Sequence, residues 1–240
     1  MFNKIYFKTL PSTNLYLKEN YKFLPDGTVV ICNNQTAGRG RFGRVWEMEE
    51  GSNIAISILL KPEINIERIS RLSLLTSAAM YNTLSKYSNN VTIKWPNDIL
   101  INNKKVCGIL LESIISKSID ALIIGIGVNL NADNVPDYLK NKATSLYLET
   151  KKFHDKDKVI NEILNSFKKL YNSYLKGNEL YLNICKEHSS IIGKEVRING
   201  EQVIVCDIKD NGNILVTNGL KEIEYAYGEV TIDYDYQRTT

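Results

Sequence analysis

Two nearly continuous apolar runs in the middle of the chain, at residues 106–115 and 121–130, constrain the fold more than any other feature. Runs of this kind are typical of central strands that are covered on both faces of a sheet. Apolar residues at helical spacing predict helices that cover such a sheet, over residues 66–87 and 156–176, and Ser12 as an N-cap predicts another helix over residues 13–19. The sequence therefore predicts an α+β fold in which a mixed sheet is backed by helices.

The texture of the sequence changes near the C-terminus, where apolar and polar residues alternate in short runs. Three Asn-Gly pairs separate these runs, at residues 199–200, 211–212 and 218–219. Asn-Gly favours the left-handed backbone of a tight hairpin turn, so the pattern predicts a small antiparallel barrel. We therefore expect a first domain of residues 1–188 and a second of residues 189–240.

Composition excludes several classes of protein. The 30 Lys and Arg against 27 Asp and Glu leave a net charge of +3, far below the basic footprint that DNA binding needs, so no DNA partner is expected. No apolar run has the length of a membrane span, and the N-terminus lacks a signal peptide, so we expect a cytoplasmic protein without membrane contact. The four cysteines are widely spaced and there are two histidines, so no metal site of the protein's own is expected.

A glycine- and arginine-rich segment lies between two predicted strands, at residues 35–52. It contains the spacing G-x-G-x-x-G at Gly38, Gly40 and Gly43. A dinucleotide-binding fold needs a helix directly after these glycines, whereas here Trp46, an acidic turn and another strand follow. The dinucleotide interpretation is therefore rejected, and the segment is expected to be a loop.

Three arginines, Arg39, Arg41 and Arg44, alternate with these glycines. Arginine binds phosphate and carboxylate oxygens through a planar fork, and glycine lets backbone N–H groups approach closely. The pattern favours a site for two anions, as in an adenylate-forming enzyme, and a solvated basic loop is the alternative. Because the loop is glycine-rich and carries like charges, we expect it to be mobile when empty and to order when anions bind.

Two further segments are candidates for a site. In residues 94–98, KWPND, Pro96 holds the following Asn97 and Asp98 at a turn. In residues 125–131, GIGVNLN, an apolar strand ends in small and amide residues, where ligand sites often open. The alternatives are a turn with a core tryptophan and glycines that serve only packing.

Six short motifs follow one another along the chain: STN (residues 12–14), GRGRFGRVW (38–46), KWPND (94–98), KVCGILLE (105–112), GIGVNLN (125–131) and GEV (228–230). In this order they resemble the biotin protein ligases, over nearly the whole chain. The resemblance implies a catalytic domain of the biotin/lipoate ligase type, related in architecture to class II aminoacyl-tRNA synthetases. It also implies that an SH3-like barrel follows this domain.

The resemblance implies that ATP activates biotin to biotinyl-5′-AMP and that a lysine then accepts the biotinyl group. This lysine would belong to the biotin carboxyl carrier domain of acetyl-CoA carboxylase or of another biotin-dependent carboxylase. Mg²⁺ would arrive with ATP, bound mainly by phosphate oxygens and water. A homodimer is left open. The repressor function of bifunctional relatives is expected to be missing, because no helix-turn-helix domain precedes the ligase region.

The resemblance also assigns roles to residues. Lys105, Arg41 and Arg39 would be catalytic, because they neutralise the biotin carboxylate and the α-phosphate. Trp46 would cover the adenine once the loop orders. The biotin-binding residues would be Ser12, Thr13, Asn14, Gln35, Gly38, Arg39, Gly40, Arg41, Lys105, Gly108 and Ile109. The ATP-binding residues would be Arg41, Arg44, Trp46, Lys94, Asn97, Asn129 and Asn131.

Two residues near the expected pocket depart from the family pattern and leave its shape open. Pro11 stands where an acidic residue is frequent, and Cys107 stands where Gly or Ala is more usual. A lipoate-type ligase of the same fold and a non-catalytic biotin-binding regulator are the alternative functions, and a class II tRNA synthetase fragment is more distant. The Gly-Arg-Gly-Arg loop argues against the first, and the retained Arg39, Arg41 and Lys105 argue against the second.

Overall fold

The fold is that of a computed structural model, which describes residues 2–47, 51–226 and 232–233 of the chain. These residues contain five α-helices and two β-sheets. The motif at residues 228–230 lies outside the described residues, as do residues 48–50 of the glycine- and arginine-rich segment.

A seven-stranded sheet forms the centre of the fold. Its strands are β1 (Asn3–Leu10), β2 (Thr28–Gln35), β3 (Ile54–Leu60), β4 (Val91–Lys94), β5 (Asp98–Ile101), β6 (Lys104–Ile115) and β7 (Ile119–Val128). In space they follow the order β1-β2-β3-β7-β6-β5-β4. Only β1 and β2 run parallel, and the other neighbours are antiparallel. The two apolar runs form the long strands β6 and β7, and the predicted mixed sheet is confirmed.

Five helices surround this sheet, and α1 and α2 contact its strands directly. They are α1 (Thr13–Asn20), α2 (Arg71–Leu84), α3 (Leu146–Thr150), α4 (Lys156–Leu175) and α5 (Leu180–Glu187). Side chains of α2, α4 and α5 form one large apolar core with one face of the sheet. By contrast, α1 packs on the opposite face over a smaller core. Among the described helices, none combines the length and the apolar character that crossing a membrane requires.

The alternation of side chains along β7 explains where the sheet stays open. Ile124 points into the large core, whereas Ile123 joins Leu17 of α1 in the smaller one. Further along β7, the residues on the face that packs against α1 are Gly125 and Gly127. Because α1 has eight residues and covers only part of this face, the glycine stretch becomes the floor of a cavity.

The C-terminal region forms a second, antiparallel sheet. Its strands are β8 (Glu195–Ile198), β9 (Glu201–Ile208), β10 (Ile214–Thr217), β11 (Glu222–Tyr225) and β12 (Ile232–Asp233), in the order β11-β10-β9-β8-β12. The three Asn-Gly pairs form its turns. At the first of them, Asn199 and Gly200 have φ of 51° and 87°, as a tight hairpin turn requires. This sheet agrees with the predicted SH3-like barrel, and the domain boundary after residue 188 stays a prediction.

The two sheets are joined by hydrogen bonds at β4 and just after it. Trp95 Nε1 donates to the carbonyl oxygen of Gly212, in the turn between β9 and β10, at 3.0 Å. The N–H of Ile93 donates to the carbonyl of His188, and the N–H of Ser190 donates to the carbonyl of Ile93, both at 2.8 Å. The edge of β4 therefore takes part in the connection to the C-terminal region, beside the large apolar core to which both sheets contribute side chains.

Helix predictions succeed where the apolar repeat is long or the cap is clear. α1, capped by Ser12, and α4 agree with the prediction to within one residue. The helix predicted over residues 66–87 is shorter, because α2 spans Arg71–Leu84 and a separate 3₁₀ turn precedes it. The sequence did not indicate α3 and α5, whose five and eight residues are too few to display a helical repeat.

Phe167→Ala tests the packing of α4 on the sheet. The Phe167 side chain is fully buried and its ring stacks on Tyr171 at 5.6 Å. We expect the variant to lower the free energy of unfolding by about 3–5 kcal/mol, because a large cavity is left in the core. Denaturant unfolding measures this change. The exposed neighbour variant Lys168→Ala should stay within about 0.5 kcal/mol of the parent, and equal small effects of the two variants would contradict the packing.

Candidate active site

A cavity of about 1470 Å³ lies over the open half of the sheet face. It is larger than the ~300–1,000 Å³ of a typical single-ligand cleft, so it has room for two small molecules side by side. The start of α1, the end of β2 and the middle of β6 and β7 line it, together with residues 94–98 and 132–143. The start of the second sheet closes one side.

Two glycines on neighbouring strands form the floor of this cavity. Gly108 of β6 lies opposite Gly127 of β7 in the sheet register. The indole of Trp46 packs directly on this pair, since a Cβ atom at residue 127 would lie 2.4 Å from it and one at residue 108 would lie 3.0 Å from it. Any side chain at residue 127 would collide with Trp46, so this close approach requires a glycine.

The segment after β2 folds back on itself as a small hairpin. The N–H of Trp46 donates to the carbonyl of Gly38 at 3.0 Å, and the N–H of Gly40 donates to the carbonyl of Arg44 at 2.7 Å. A 3₁₀ turn at Arg41–Gly43 forms its tip, where Phe42 adopts a φ of 56° that non-glycine residues rarely adopt. The predicted loop is therefore confirmed for the described residues, with more internal order than the sequence suggests.

Positive charge dominates the cavity walls. Arg41 Nη1 donates to Asn97 Oδ1 at 3.1 Å, which joins the hairpin to residues 94–98. Lys105 Nζ lies 2.6 Å from Asp98 Oδ1 and 5.6 Å from the centroid of the Trp46 ring. This excess of cations favours bound anions. The lining cations are Arg39, Arg41, Arg44, Lys94, Lys105, Lys142 and Lys194, against the lining carboxylates Glu47, Asp98 and Glu195.

Uncharged polar groups line another part of the wall, at the start of α1. The backbone N–H of Thr13 donates to Gln35 Oε1 at 2.8 Å, and the Thr13 hydroxyl lies 3.1 Å from the same oxygen. Behind Thr13 lies the fully buried Ser57, whose Oγ is 2.7 Å from Thr13 Oγ1. This part of the wall can hydrogen-bond an uncharged polar ring with little water present.

Most of the residues that the sequence predicts for the site line this one cavity. Gly38 and Asn131 do not line it. Both amide atoms of Asn131 bond to the backbone of His154, each at 2.9 Å, and they fix the segment that follows α3. The predicted residues on the cavity wall are Ser12, Thr13, Asn14, Gln35, Arg39, Gly40, Arg41, Arg44, Trp46, Lys94, Asn97, Lys105, Gly108, Ile109 and Asn129.

Two residues predicted for ATP have defined places within the protein. Asn129 Nδ2 donates to the carbonyl of Thr144 at 3.0 Å and holds the segment that leads into α3. Trp46 lies on the glycine floor beside Lys105, among residues predicted for biotin. The contacts of Asn129 and Trp46 with ATP stay predictions.

Two parts of the wall were not predicted from the sequence. Residues 132–143, between β7 and α3, contribute Tyr138 and Lys142, and the second sheet contributes Lys194. The segment after β7 had one signal, because it directly follows a strand that ends in glycine and amide residues. No sequence signal pointed to Lys194, because its position depends on how the second sheet packs against the first.

Cys107 has no place in the cavity. Its side chain is fully buried in the large core, on the opposite side of the sheet from Gly108. Burial raises the pKa of the Cys107 thiol well above its ordinary value, so the thiol stays protonated and unreactive. The shape of the cavity therefore does not depend on this departure from the family pattern.

Among residues 2–47 and 51–226, no group of three His, Cys, Asp or Glu is placed to bind a metal ion.

Known proteins resemble this chain over most of its length. The sequence pattern of the biotin/lipoate A/B protein ligase family matches residues 6–129. The bifunctional ligase/repressor BirA of Bacillus spizizenii is 43% identical over 213 residues, which cover 84% of this chain and 66%, just under two thirds, of that protein. The biotin–[acetyl-CoA-carboxylase] ligase of Mycobacterium tuberculosis is 27% identical over 215 residues, 85% of this chain and 79% of that one.

A solved structure extends the likeness to the whole described fold. The biotin protein ligase from Aquifex aeolicus in complex with biotin and ATP superposes with a TM-score of 0.86 at 30% identity. The match covers 96% of this chain and 98% of that one. The likeness therefore includes the second sheet as well as the first.

Gly127→Ala tests the floor of the cavity. The added methyl group would overlap the Trp46 indole, so we expect the indole to move into solvent and the protein to lose about 1–3 kcal/mol of stability. Trp46 and the buried Trp95 are the two tryptophans, so tryptophan emission should shift to longer wavelength and become more sensitive to acrylamide. In the control Gly40→Ala, the methyl group meets nothing closer than 3.5 Å. Unchanged emission in Gly127→Ala would show that Trp46 does not pack on the floor.

Proposed function

The chain belongs to the biotin/lipoate A/B protein ligase family, and we propose that it is an ATP-dependent biotin protein ligase. In the first step, a carboxylate oxygen of biotin attacks the α-phosphorus of ATP, and the bond to pyrophosphate breaks. In the second step, the amine of a carrier lysine attacks the acyl carbon of biotinyl-5′-AMP, and AMP leaves as an amide forms.

One observation carries this proposal: the uncharged polar wall at Thr13 and Gln35 and the cations Arg39, Arg41 and Lys105 belong to the same cavity. Biotin has an uncharged cyclic urea at one end and a carboxylate at the other. The carboxylate and the α-phosphate repel each other until nearby cations neutralise them. An enzyme for this reaction therefore needs alignment and positive charge rather than a nucleophile of its own.

Lys105 is the catalytic residue that the geometry favours most. Its ammonium group pairs with Asp98 at 2.6 Å, so it is held at the cavity wall. We infer that it contacts the biotin carboxylate and then the acyl-phosphate oxygens, whose negative charge competes with Asp98. Arg39 and Arg41 approach the same anions from the hairpin.

The remaining assignments follow the same division of the cavity. Biotin lies against Ser12, Thr13, Gln35, Gly108 and Ile109. ATP lies on the side of Arg44, Lys94 and Asn97, and brings Mg²⁺ on its phosphate oxygens. The acceptor is a biotin carboxyl carrier domain of acetyl-CoA carboxylase or another biotin-dependent carboxylase. All these residues except Ile109 have polar or glycine character suited to such ligands.

ATP-dependent transfer of labelled biotin to a purified carrier domain tests the proposed function. We expect label on the carrier only when ATP and Mg²⁺ are present. A carrier whose acceptor lysine is changed to arginine is the control and should stay unlabelled. Transfer of lipoate in place of biotin would favour the lipoate-type alternative, and biotin binding without transfer would favour the non-catalytic regulator.

Lys105→Met should slow biotinyl-5′-AMP formation by about 10²–10³-fold, the loss typical of removing one group that stabilises charge in a transition state. Pyrophosphate release in the presence of biotin and ATP measures this rate. The matched control is Lys104→Met, since Lys104 precedes Lys105 on β6 but does not line the cavity. The assignment fails if both variants form the adenylate at the parent rate.

A further inference from the structure

A chain of hydrogen bonds runs from Glu112 through Asn14 and Ser57 to Thr13, behind the uncharged wall of the cavity. Asn14 Nδ2 donates to Glu112 Oε2 at 2.9 Å and to the carbonyl of Leu110 at 3.4 Å. A carboxylate and a backbone carbonyl have lone pairs and no proton to give. Together they fix which way the amide of Asn14 faces, so its Oδ1 points away from them as an acceptor.

Ser57 transmits this orientation. Its hydroxyl, fully buried, donates to Asn14 Oδ1 at 2.5 Å. Gly125 lies opposite Ser57 in the sheet and makes room for the amide, because a Cβ atom there would lie 2.3 Å from Asn14 Oδ1. A hydroxyl has one proton, so the Ser57 oxygen can meet Thr13 Oγ1, 2.7 Å away, only with a lone pair.

The Thr13 hydroxyl is therefore set as an acceptor towards the cavity. Its two side-chain neighbours, Ser57 Oγ at 2.7 Å and Gln35 Oε1 at 3.1 Å, both take a proton from it rather than give one. The shorter contact, to Ser57 Oγ, is the main acceptor of the single Thr13 proton, and the longer contact to Gln35 Oε1 holds it less firmly. Thr13 is 3% exposed and lines the cavity, so it offers a ligand a lone pair.

We propose that Glu112, acting through Asn14 and Ser57, holds Thr13 as a hydrogen-bond acceptor and makes the cavity select ligands that present an N–H group at this point. The inference rests on the proposed function and deepens it, because the cyclic urea of biotin carries two N–H groups. If the urea nitrogen that faces Thr13 carried a methyl group in place of its hydrogen, the Thr13 lone pair would have no donor in a buried wall. Glu112, Asn14 and Ser57 are positioning residues, since they select the ligand through Thr13.

The experiment measures the dissociation constants of the full chain for biotin and for the two biotins that carry one N-methyl group on the urea. The selectivity is the ratio of the N-methyl value to the biotin value. The variants are Ser57→Ala, Glu112→Leu, Glu112→Gln, Thr13→Val and the double variant Thr13→Val with Ser57→Ala. Thermal unfolding of each variant reports whether it is folded.

Glu162→Leu is the matched control for Glu112→Leu. Glu162 accepts a hydrogen bond from Tyr87 and pairs with Lys86, much as Glu112 accepts one from Asn14 and pairs with a lysine. Its side chain is 23% exposed, close to the 27% of Glu112. It does not line the cavity, so its loss should leave the selectivity unchanged.

We expect the parent to prefer biotin over at least one N-methyl biotin. Ser57→Ala and Glu112→Leu should each lower this selectivity by about two- to tenfold, the range of one net hydrogen bond. Glu112→Gln should keep it, because its amide oxygen can still accept from Asn14. Thr13→Val should lower the selectivity too, and Ser57→Ala should add nothing to it, because the effect passes through Thr13.

The inference would be overturned by a parent that binds biotin and its N-methyl forms equally, or by selectivity that Ser57→Ala leaves at the parent value. It would also be overturned if Ser57→Ala had an equal effect in the parent and in the Thr13→Val background. Variants that lose affinity for all three ligands by the same factor would indicate a merely structural network, and would also overturn it. A parent that does not bind biotin would remove the proposed function itself.

Discussion

The cavity depends on a stretch of the central sheet that carries no side chains on one face. Glycine weakens a strand, because it loses more backbone entropy than other residues and has no side chain to pack. Here the lost packing is replaced from outside the strand. The amide of Asn14 fills the space above Gly125, and the indole of Trp46 fills the space above Gly127. The same glycines thus open the floor and fix the two side chains that stand on it.

The two kinds of wall separate two physical tasks. The wall at Thr13 and Gln35 consists of neutral groups whose hydrogen bonds are already ordered inside the protein, so it favours one arrangement of donors and acceptors in a ligand. The cations on the hairpin and on residues 94–105 also respond to the total charge of what is bound. Under the proposed function, shape and hydrogen bonding would select the ligand at one wall, whereas charge would promote the chemistry at the other.

The sequence predicts most of what is local and little of what is not. The long apolar runs of β6 and β7, the N-cap at Ser12 and the repeat of α4 are properties of neighbouring residues, and each has a counterpart in the structure. Ser57 looks like any small residue of a buried strand, because its partners Thr13 and Asn14 lie 44 and 43 residues away. Their meeting depends on the packing of α1, which no local pattern records.

The difference between local pattern and distant contact also explains why the orientations of Asn131 and Trp46 could not be predicted from the sequence. Both residues stand in motifs that resemble the family, but a motif does not say which way a side chain turns. Asn131 turns to the backbone of His154, and Trp46 turns onto the glycine floor. Lys194 reaches the cavity wall from the second sheet, and only the packing of the two sheets brings it there.

Hydrogen bonds of β4 and Trp95 help to hold the C-terminal region against the first sheet. A fragment that stopped before residue 189 would lose the carbonyl that receives the indole N–H of Trp95, and would bare part of the edge of β4. Exposed strand edges invite pairing with other chains, and Trp95 adjoins the turn that carries Asn97 and Asp98. Truncation would thus disturb the turn at Asn97 and Asp98 from behind while also promoting aggregation, so the first sheet is poorly suited to study in isolation.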